Sequence, residues 1–343
     1  MSPSAPSIRI GGREVGAGAP LFVIAEVGLN HGGSVERALA LVDAAASAGV
    51  PAVKLQTLSA AELVVVSPTR DLFAQFELDE AAHHLIAARA RAHGLALVAT
   101  PLSLGAVDLL ERVGIDAYKI ASGDITFTPL IERCAATGKP LIISTGVSTL
   151  DEVIVAVACA RRAGAASIAV LHCVSSYPVP PGSVNLRAIA TLASALGVPV
   201  GLSDHAPDTS GVPVAVAFGA SIYERHIILN DHDDAIDAPV SSTPEGFAEV
   251  IRIAARAAAS LGSGLKEVLP AEAPNAASRR GLYATRALPV GHVITADDVI
   301  ALRPATTVTP DRLSALIGAT LTRDVAAGAP FLAGDLTGRR GPA

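Results

Sequence analysis

Between residues 21 and 261 the chain alternates two hydrophobic patterns. Short, nearly unbroken apolar runs occur at Leu21–Val27, Ala52–Gln56, Leu95–Ala99, Ala117–Ile120, Pro140–Ser144, Ser167–His172, Pro199–Leu202 and Ser221–His226. Their length and apolar density predict parallel strands buried on both faces. Ala-rich stretches with helical periodicity lie between them, among them Val35–Ala48, Glu80–His93, Leu104–Val113, Leu150–Ala163, Leu186–Leu196 and finally Pro244–Leu261. Eight strand–helix units in about 240 residues are the count and size of a closed (β/α)8 TIM barrel. A doubly wound sheet would show fewer units and a GxGxxG turn after the first strand, and Gly28 and Gly32–Gly33 do not have that spacing.

The pattern changes after Leu261. Residues 263–280 hold Gly264, Pro270, Pro274 and Asn275 without sustained periodicity and predict a linker between a barrel domain (1–262) and a small domain (281–343). In the latter, Leu282–Ala287, Val293–Ile294 and Ile300–Leu302 predict short β pieces, Pro310–Ile317 a short helix, and Gly338–Ala343 a frayed end. About 60 residues make too small a core to stand alone, so this domain is expected to lean on its own barrel or on a neighbouring subunit.

Composition narrows the class. Half of the 343 residues are hydrophobic, but aromatics are 3% and Trp is absent, so the core is built from Ala, Val, Leu and Ile. The net charge of −6, with no Lys/Arg cluster, argues against nucleic acid as the main partner. Cys134, Cys159 and Cys173 have no metal-type spacing and are expected to be buried thiols of a reducing compartment. No signal peptide is read at Met1–Ile10 and no apolar run reads as a membrane span, which together predict a soluble cytoplasmic protein.

The candidate chemistry lies where the strands end. The eight predicted strands lead into Glu26; Lys54 and Gln56; Thr100; Lys119 and Ser122; Ser144; His172, then Tyr177; Ser203 to His205; and Glu224 to His226. A single polar residue in such a position is usually a cap or a turn, but eight in succession match a barrel whose chemistry sits at the carboxyl ends of its strands. A lysine within an apolar strand needs an anionic partner, so Lys54 and Lys119 predict an anion pocket, with hydroxyls of Thr100, Ser122, Ser144 and Ser203 as donors. Glu26 has few bland roles other than a salt bridge with Lys54. His205 and His226 end successive strands, and two imidazoles with open positions suit a catalytic divalent ion. Asp204 reads either as an orienting neighbour of His205 or as a turn residue. Asn30 and His31 read as loop-shaping residues as readily as substrate contacts.

The segments FVIAEVGLNHGG, AVKLQT, YKIASGDI, LIISTGVSTLDEV, LHCVSSYPVPP, VGLSDH and ERHIIL resemble the N-acetylneuraminate (sialic acid) synthase family, and the tail LYATRALPVGHVITADDVIALRP resembles its antifreeze-like SAF domain. The resemblance implies a transferase that condenses phosphoenolpyruvate with an N-acylated aldose such as N-acetylmannosamine and releases phosphate. It implies Glu26, His205 and His226 as catalytic groups, with the two histidines holding a divalent metal, Mn²⁺ ahead of Mg²⁺, Co²⁺ or Zn²⁺. It places Lys54, Lys119, Ser122, Ser144 and Ser203 around phosphoenolpyruvate, where Gln56 and Thr100 are by their chemistry further candidate donors, and Ser175, Tyr177, Asp237 and Arg303 among the substrate contacts. It further implies a homodimer with exchanged SAF domains. Asp237 sits in Ala235–Ala238 rather than the family's GPD, Ala305 replaces a glycine after Pro304, and the Leu58–Glu77 insertion is short, all on the side expected to meet the sugar. A Schiff-base pyruvate aldolase using Lys119 or Lys54, and the same synthase chemistry on another aldehyde, are the alternatives.

Overall fold

The chain enters through an antiparallel hairpin of β1 (Ser7–Ile10) and β2 (Arg13–Gly16), which the sequence pattern had not predicted. The computed structural model describes residues 6–16, 18–180 and 182–337. The eight apolar runs then form β3 (Phe22–Gly28), β4 (Ala52–Thr57), β5 (Ala96–Pro101), β6 (Ala117–Ile120), β7 (Leu141–Ser144), β8 (Ile168–Cys173), β9 (Val200–Ser203) and β10 (Ile222–Ile227). Each pairs in parallel with the next, and β10 pairs with both β9 and β3, so the sheet closes into a (β/α)8 TIM barrel. A two-residue strand, β11 (Ser241–Ser242), lies parallel to the end of β10.

Strand alternation sorts the core into two layers. Outward residues such as Val23, Val53, Leu97, Tyr118, Leu141 and Tyr223 pack against the helices in the main hydrophobic cluster. Inward residues Phe22, Ile24, Ala52, Ala96, Val98, Ala117, Ile142, Ala169, Leu171 and Ile222 fill the lower bore, where Ile8, Ile10 and Val15 of the hairpin join them. Gly11 in the hairpin turn has φ +54°, and an added Cβ would lie 2.5 Å from the Cβ of Ala96. The helices start where capping residues allow: Ser34, Asp79, Ser103 and Thr243 each accept from a backbone N–H of the first turn, and Thr149 forms a reciprocal box with Glu152.

Contacts divide the chain into units 1–263 and 264–343. The 270–278 segment, expected to be irregular, forms 3₁₀ turns and is exposed. The second unit repeats itself at a spacing of 37 residues. Gly291 N donates to Leu321 O and Gly328 N to Ala284 O, both at 2.8 Å, while Leu288 and Val325 exchange two 2.8 Å bonds. Strands β12 (Gly281–Ala284) and β13 (Val299–Leu302) have their counterpart in β14 (Thr320–Leu321) and β15 (Leu336–Thr337). The repeat extends to side chains: Arg286 pairs with Asp298 as Arg323 does with Asp335. Its core is Leu282, Leu288, Ile294, Leu316, Leu321, Val325 and Phe331. The expected frayed segment 338–343 lies outside the described residues.

Candidate active site

The same alternation that fills the lower bore with apolar side chains turns polar groups inward near the carboxyl ends of the strands. Two residues above Ile24, Ala52, Ala117, Ile142, Gly201 and Ile222 come Glu26, Lys54, Lys119, Ser144, Ser203 and Glu224, and all six line a cavity of about 290 Å³. Gln56, Thr100, Ser122, Cys173, Ser175, Tyr177, His205 and His226 line it too, with Leu63, Phe73 and Leu102 as an apolar wall. Twelve of the fourteen residues singled out from the sequence are therefore brought together. Asp237 meets the cluster through His226, its Oδ2 lying 3.2 Å from Nδ1. Arg303 belongs to the second unit and is exposed.

Two ammonium and two carboxylate groups share the floor, each at most 4% exposed. Glu224, a strand-end residue to which the sequence reading gave no role, is their centre. Its Oε1 accepts from Lys119 Nζ at 3.0 Å and from Ser203 Oγ at 2.9 Å, and lies 2.8 Å from Lys54 Nζ. Lys54 also pairs with Glu26 Oε2, while Glu26 Oε1 accepts from Gly28 N at 2.6 Å. The signal for Glu224 was its place two residues before His226, which gives both the same inward parity. Burial alone would raise the Glu224 carboxyl, but the Lys119 and Lys54 charges outweigh it and hold the group below the usual carboxylate range. Burial pulls Lys54 down to about 7 against the opposing pull of Glu224. Glu224 Oε2 and Thr100 Oγ1 are buried without a hydrogen-bond partner. Such orphaned atoms belong to a site awaiting polar ligands.

The imidazoles stand beside this floor, His226 on the same strand as Glu224 and in register with Glu26. The His205 and His226 ring centroids are 5.6 Å apart, and Tyr177 stacks over His205 at 4.1 Å. His205 Nδ1 lies 3.2 Å from Val174 O, which can only accept, so Nδ1 donates to it and Nε2 is the nitrogen that this bond leaves unused. His226 Nδ1 is buried without a hydrogen bond despite the nearby Asp237 carboxylate, and burial, with His205 and Lys54 adding to it, keeps this imidazole neutral. Two imidazoles this close, one with an orphaned nitrogen, fit a divalent ion. No group of three or more His, Cys, Asp or Glu side chains is arranged to hold a metal ion among the described residues, so the protein's own ligands to such an ion would be the two histidines. Burial alone would raise the Cys173 thiol, but His205, whose Nδ1 is 3.7 Å from its sulfur, brings it down to about 7.

Asn30 has the loop-shaping role considered for it. Its Nδ2 donates to Ile227 O and Ser241 Oγ, and its Oδ1 accepts from Asp237 N, which fixes the 237 turn against β10. Ser144, a candidate helix cap, does not cap, since Thr149 performs that task.

A closed parallel barrel with a charged, imidazole-bearing mouth defines an enzyme, and the second unit gives it a small β-rich appendage. The chain matches the NeuB family over residues 41–266 and the SAF domain over 279–337. It is 38% identical over 319 residues to an uncharacterized protein of Methanocaldococcus jannaschii, covering 92% of this chain and 95% of that one. It is 34% identical over 337 residues to the N,N'-diacetyllegionaminic acid synthase of Legionella pneumophila, with the same two coverages. The crystal structure of the N-acetylneuraminic acid synthetase of Leptospira borgpetersenii superposes with a TM-score of 0.75 at 32% identity, over 79% of this chain and 95% of that chain. The chain belongs to the NeuB family and carries a C-terminal SAF domain. No helix among the described residues is long and apolar enough to cross a membrane.

Proposed function

We propose that the protein condenses phosphoenolpyruvate with the open-chain form of an N-acylated aldose, N-acetylmannosamine or a close relative, to give a nonulosonic acid and phosphate. The observation that carries this reading is the convergence of Lys54 and Lys119 on one buried floor, beside the paired imidazoles of His205 and His226. Phosphoenolpyruvate brings a carboxylate and a phosphate, and both ammoniums would turn to them from Glu224. Ser122, Ser144, Ser203, Thr100 and Gln56 supply neutral donors around the anion. The C3 carbon attacks the aldehyde carbon, water adds at the cationic C2, and phosphate leaves the tetrahedral intermediate with cleavage of its C–O bond. Glu26 moves the proton or stabilises the developing cation. A divalent ion held by His205 and His226, Mn²⁺ ahead of Mg²⁺, Co²⁺ or Zn²⁺, supplies Lewis acidity to a carbonyl oxygen. Ser175, Tyr177 and Asp237 face the sugar.

The wall of Leu63, Phe73 and Leu102 offers no hydrogen bond and suits the acyl methyl or a deoxygenated end of the aldose. The cavity has no cation beyond Lys54 and Lys119 among its described lining residues, which disfavours a phosphorylated acceptor. The reading extends to a cytoplasmic homodimer in which Arg303 of one chain reaches the acyl carbonyl in the other's site. Its support is three free, buried cysteines and the exposed Arg303, Val290, Val293, Ile300 and Leu302 of the second unit. Mixed dimers of Glu26→Gln and Arg303→Ala chains should recover activity that neither variant has alone.

The decisive assay follows phosphate release from phosphoenolpyruvate with Mn²⁺ and a panel of N-acylated hexosamines, with and without chelator. Release that depends on both sugar and metal is expected. Release indifferent to chelator, or none with any aldehyde, overturns the reading. The lowered Lys54 ammonium favours one second reading, a Schiff-base aldolase, and borohydride trapping of a pyruvate adduct on Lys54 would establish it.

A further inference from the structure

Behind the imidazoles, on the outward face of β10, lies a buried polar group that touches no part of the cavity. Arg225 stands between Glu224 and His226, and alternation turns it away from the bore. It is 2% exposed and heads the fully buried side chains of the protein by volume. Its Nε donates to Ser242 Oγ at 2.7 Å and its Nη1 to Ala206 O at 2.9 Å, with Asp204 Oδ2 at 3.6 Å. Tyr223 donates its hydroxyl to the same Asp204 oxygen at 2.8 Å, and Asp204 Oδ1 accepts from Ala206 N at 2.9 Å.

The connections have a direction. Asp204 and Ala206 flank His205, Arg225 itself precedes His226, and Ser242 belongs to β11, whose Ser241 is the register partner of His226. One planar guanidinium thus ties the turn carrying one histidine to the strand carrying the other. A buried ion pair is no better for stability than well-packed apolar side chains, so stability alone does not call for arginine here. Two bonds at fixed angles from a rigid fork are what arginine offers and lysine lacks.

We propose that Arg225, with Asp204 as its anchor, is a positioning residue that sets the separation of His205 and His226 and so the affinity for a divalent ion. The inference rests on the reading of those histidines as ligands.

The test titrates metal-free protein with Mn²⁺, reading the free ion by electron paramagnetic resonance, alongside the melting temperature and the dissociation constant for phosphoenolpyruvate. Arg225→Lys keeps the charge and loses the fork. Its Mn²⁺ dissociation constant is expected to weaken about 10–100-fold, the range for partners of metal-binding histidines. Its melting temperature should stay within a few degrees, and phosphoenolpyruvate affinity without metal should stay close to wild type, since Lys54 and Lys119 are untouched. Wild-type Mn²⁺ affinity in Arg225→Lys overturns the proposal. Should that variant fail to fold, Ser242→Ala removes one bond only, and it must weaken Mn²⁺ several-fold at an unchanged melting temperature or the proposal falls. A His205→Ala/His226→Ala control separates the two layers. If it binds Mn²⁺ as wild type does, the ligand assignment and this inference fall together. If it loses the ion while Arg225→Lys retains it, only the inference falls.

Discussion

Lys119 and Glu224 meet across the bore of the barrel, Nζ to Oε1 at 3.0 Å, from β6 and β10. That oxygen also serves Lys54 and Ser203, so one buried carboxylate bridges both ammoniums, with Glu26 as a second partner of Lys54. Removing one member of a buried pair costs about 3 kcal/mol or more, because the remaining charge stays desolvated. Glu224→Gln should therefore lower the melting temperature by roughly 6–12 °C. Inorganic phosphate, which can take the vacated place, should raise it more in the variant than in wild type. Scanning fluorimetry with and without phosphate reads both, and equal phosphate shifts would contradict the role given to Glu224.

Lys54 makes a pH prediction with two opposite signs. Burial pulls its folded-state value to about 7, with Glu224 resisting, against an ordinary lysine value of 10.5. Above pH 7 the unfolded chain holds this proton while the folded chain has released it, so the Lys54 contribution to stability rises as pH climbs from 7 towards 10. Anion binding needs the charged amine and weakens over the same interval. The profile of kcat/KM for phosphoenolpyruvate should fall as pH rises through about 7, since it reports groups of the free enzyme. Arg keeps its proton throughout. If Lys54→Arg retains measurable turnover, its profile should lack this limb, and an identical limb in that variant would assign the titration elsewhere.

In the SAF domain the buried Asp298 holds its own neighbourhood together. It accepts from His292 Nε2 at 2.8 Å, Thr295 N at 2.9 Å and Thr295 Oγ1 at 2.8 Å, and pairs with Arg286 at 2.7 Å. The His292 bond comes first among the causes that keep its carboxyl below the ordinary range. A depressed carboxylate contributes stability that is complete above its unfolded value and is lost as pH falls through the folded one. Asp298→Asn should cost about 2 kcal/mol near neutrality, the scale of a hydrogen bond to a charged group. The deficit should hold between pH 5 and 8 and shrink below about pH 4. Thermal melts of both proteins across that range supply the check.

The barrel was legible because its eight strands are buried on both faces and therefore read as near-continuous apolar text, and because inward parity carries polar residues into strand ends such as Glu26, Lys54 and His226. Glu224 escaped assignment because its partners Lys54 and Lys119 are far away in sequence, and no local pattern says which charges will meet. The hairpin of β1 and β2 is only two short strands around Gly11–Gly12, and its apolar Ile8, Ile10 and Val15 find their reason only when the lower bore is closed over them. The internal repeat of the SAF domain was hidden by substitution. Asp298 and Asp335 match, as do Gly291 and Gly328, but Thr295 faces Leu332 and His292 faces Ala329.

Two glycines allow close approaches in different parts of the site, Gly28 beside His226 and Gly146 beside Ser122 and Ser175. Gly28 has φ +52°, and a Cβ there would lie 2.9 Å from His226 Nδ1. Gly146 needs no unusual backbone, but its Cβ would stand 2.1 Å from Ser175 Oγ and 2.8 Å from Ser122 Oγ, and its N–H donates to Ser122. Gly28→Ala pays a left-handed backbone penalty of about 1–2 kcal/mol and displaces an imidazole. Its Mn²⁺ affinity should drop about tenfold or more, with phosphoenolpyruvate affinity without metal nearly unchanged. Gly146→Ala pushes two hydroxyls out of the anion pocket. The loss of one or two such bonds, about 1 kcal/mol each, should raise KM for phosphoenolpyruvate roughly 5–30-fold while leaving Mn²⁺ binding as in wild type. Calorimetric titration of each variant with each ligand makes a four-way comparison. If both variants lost both ligands to the same degree, the site would be one collapsing unit rather than two adjoining ones, and the division of labour between His205–His226 and Lys54–Lys119 would have to be abandoned.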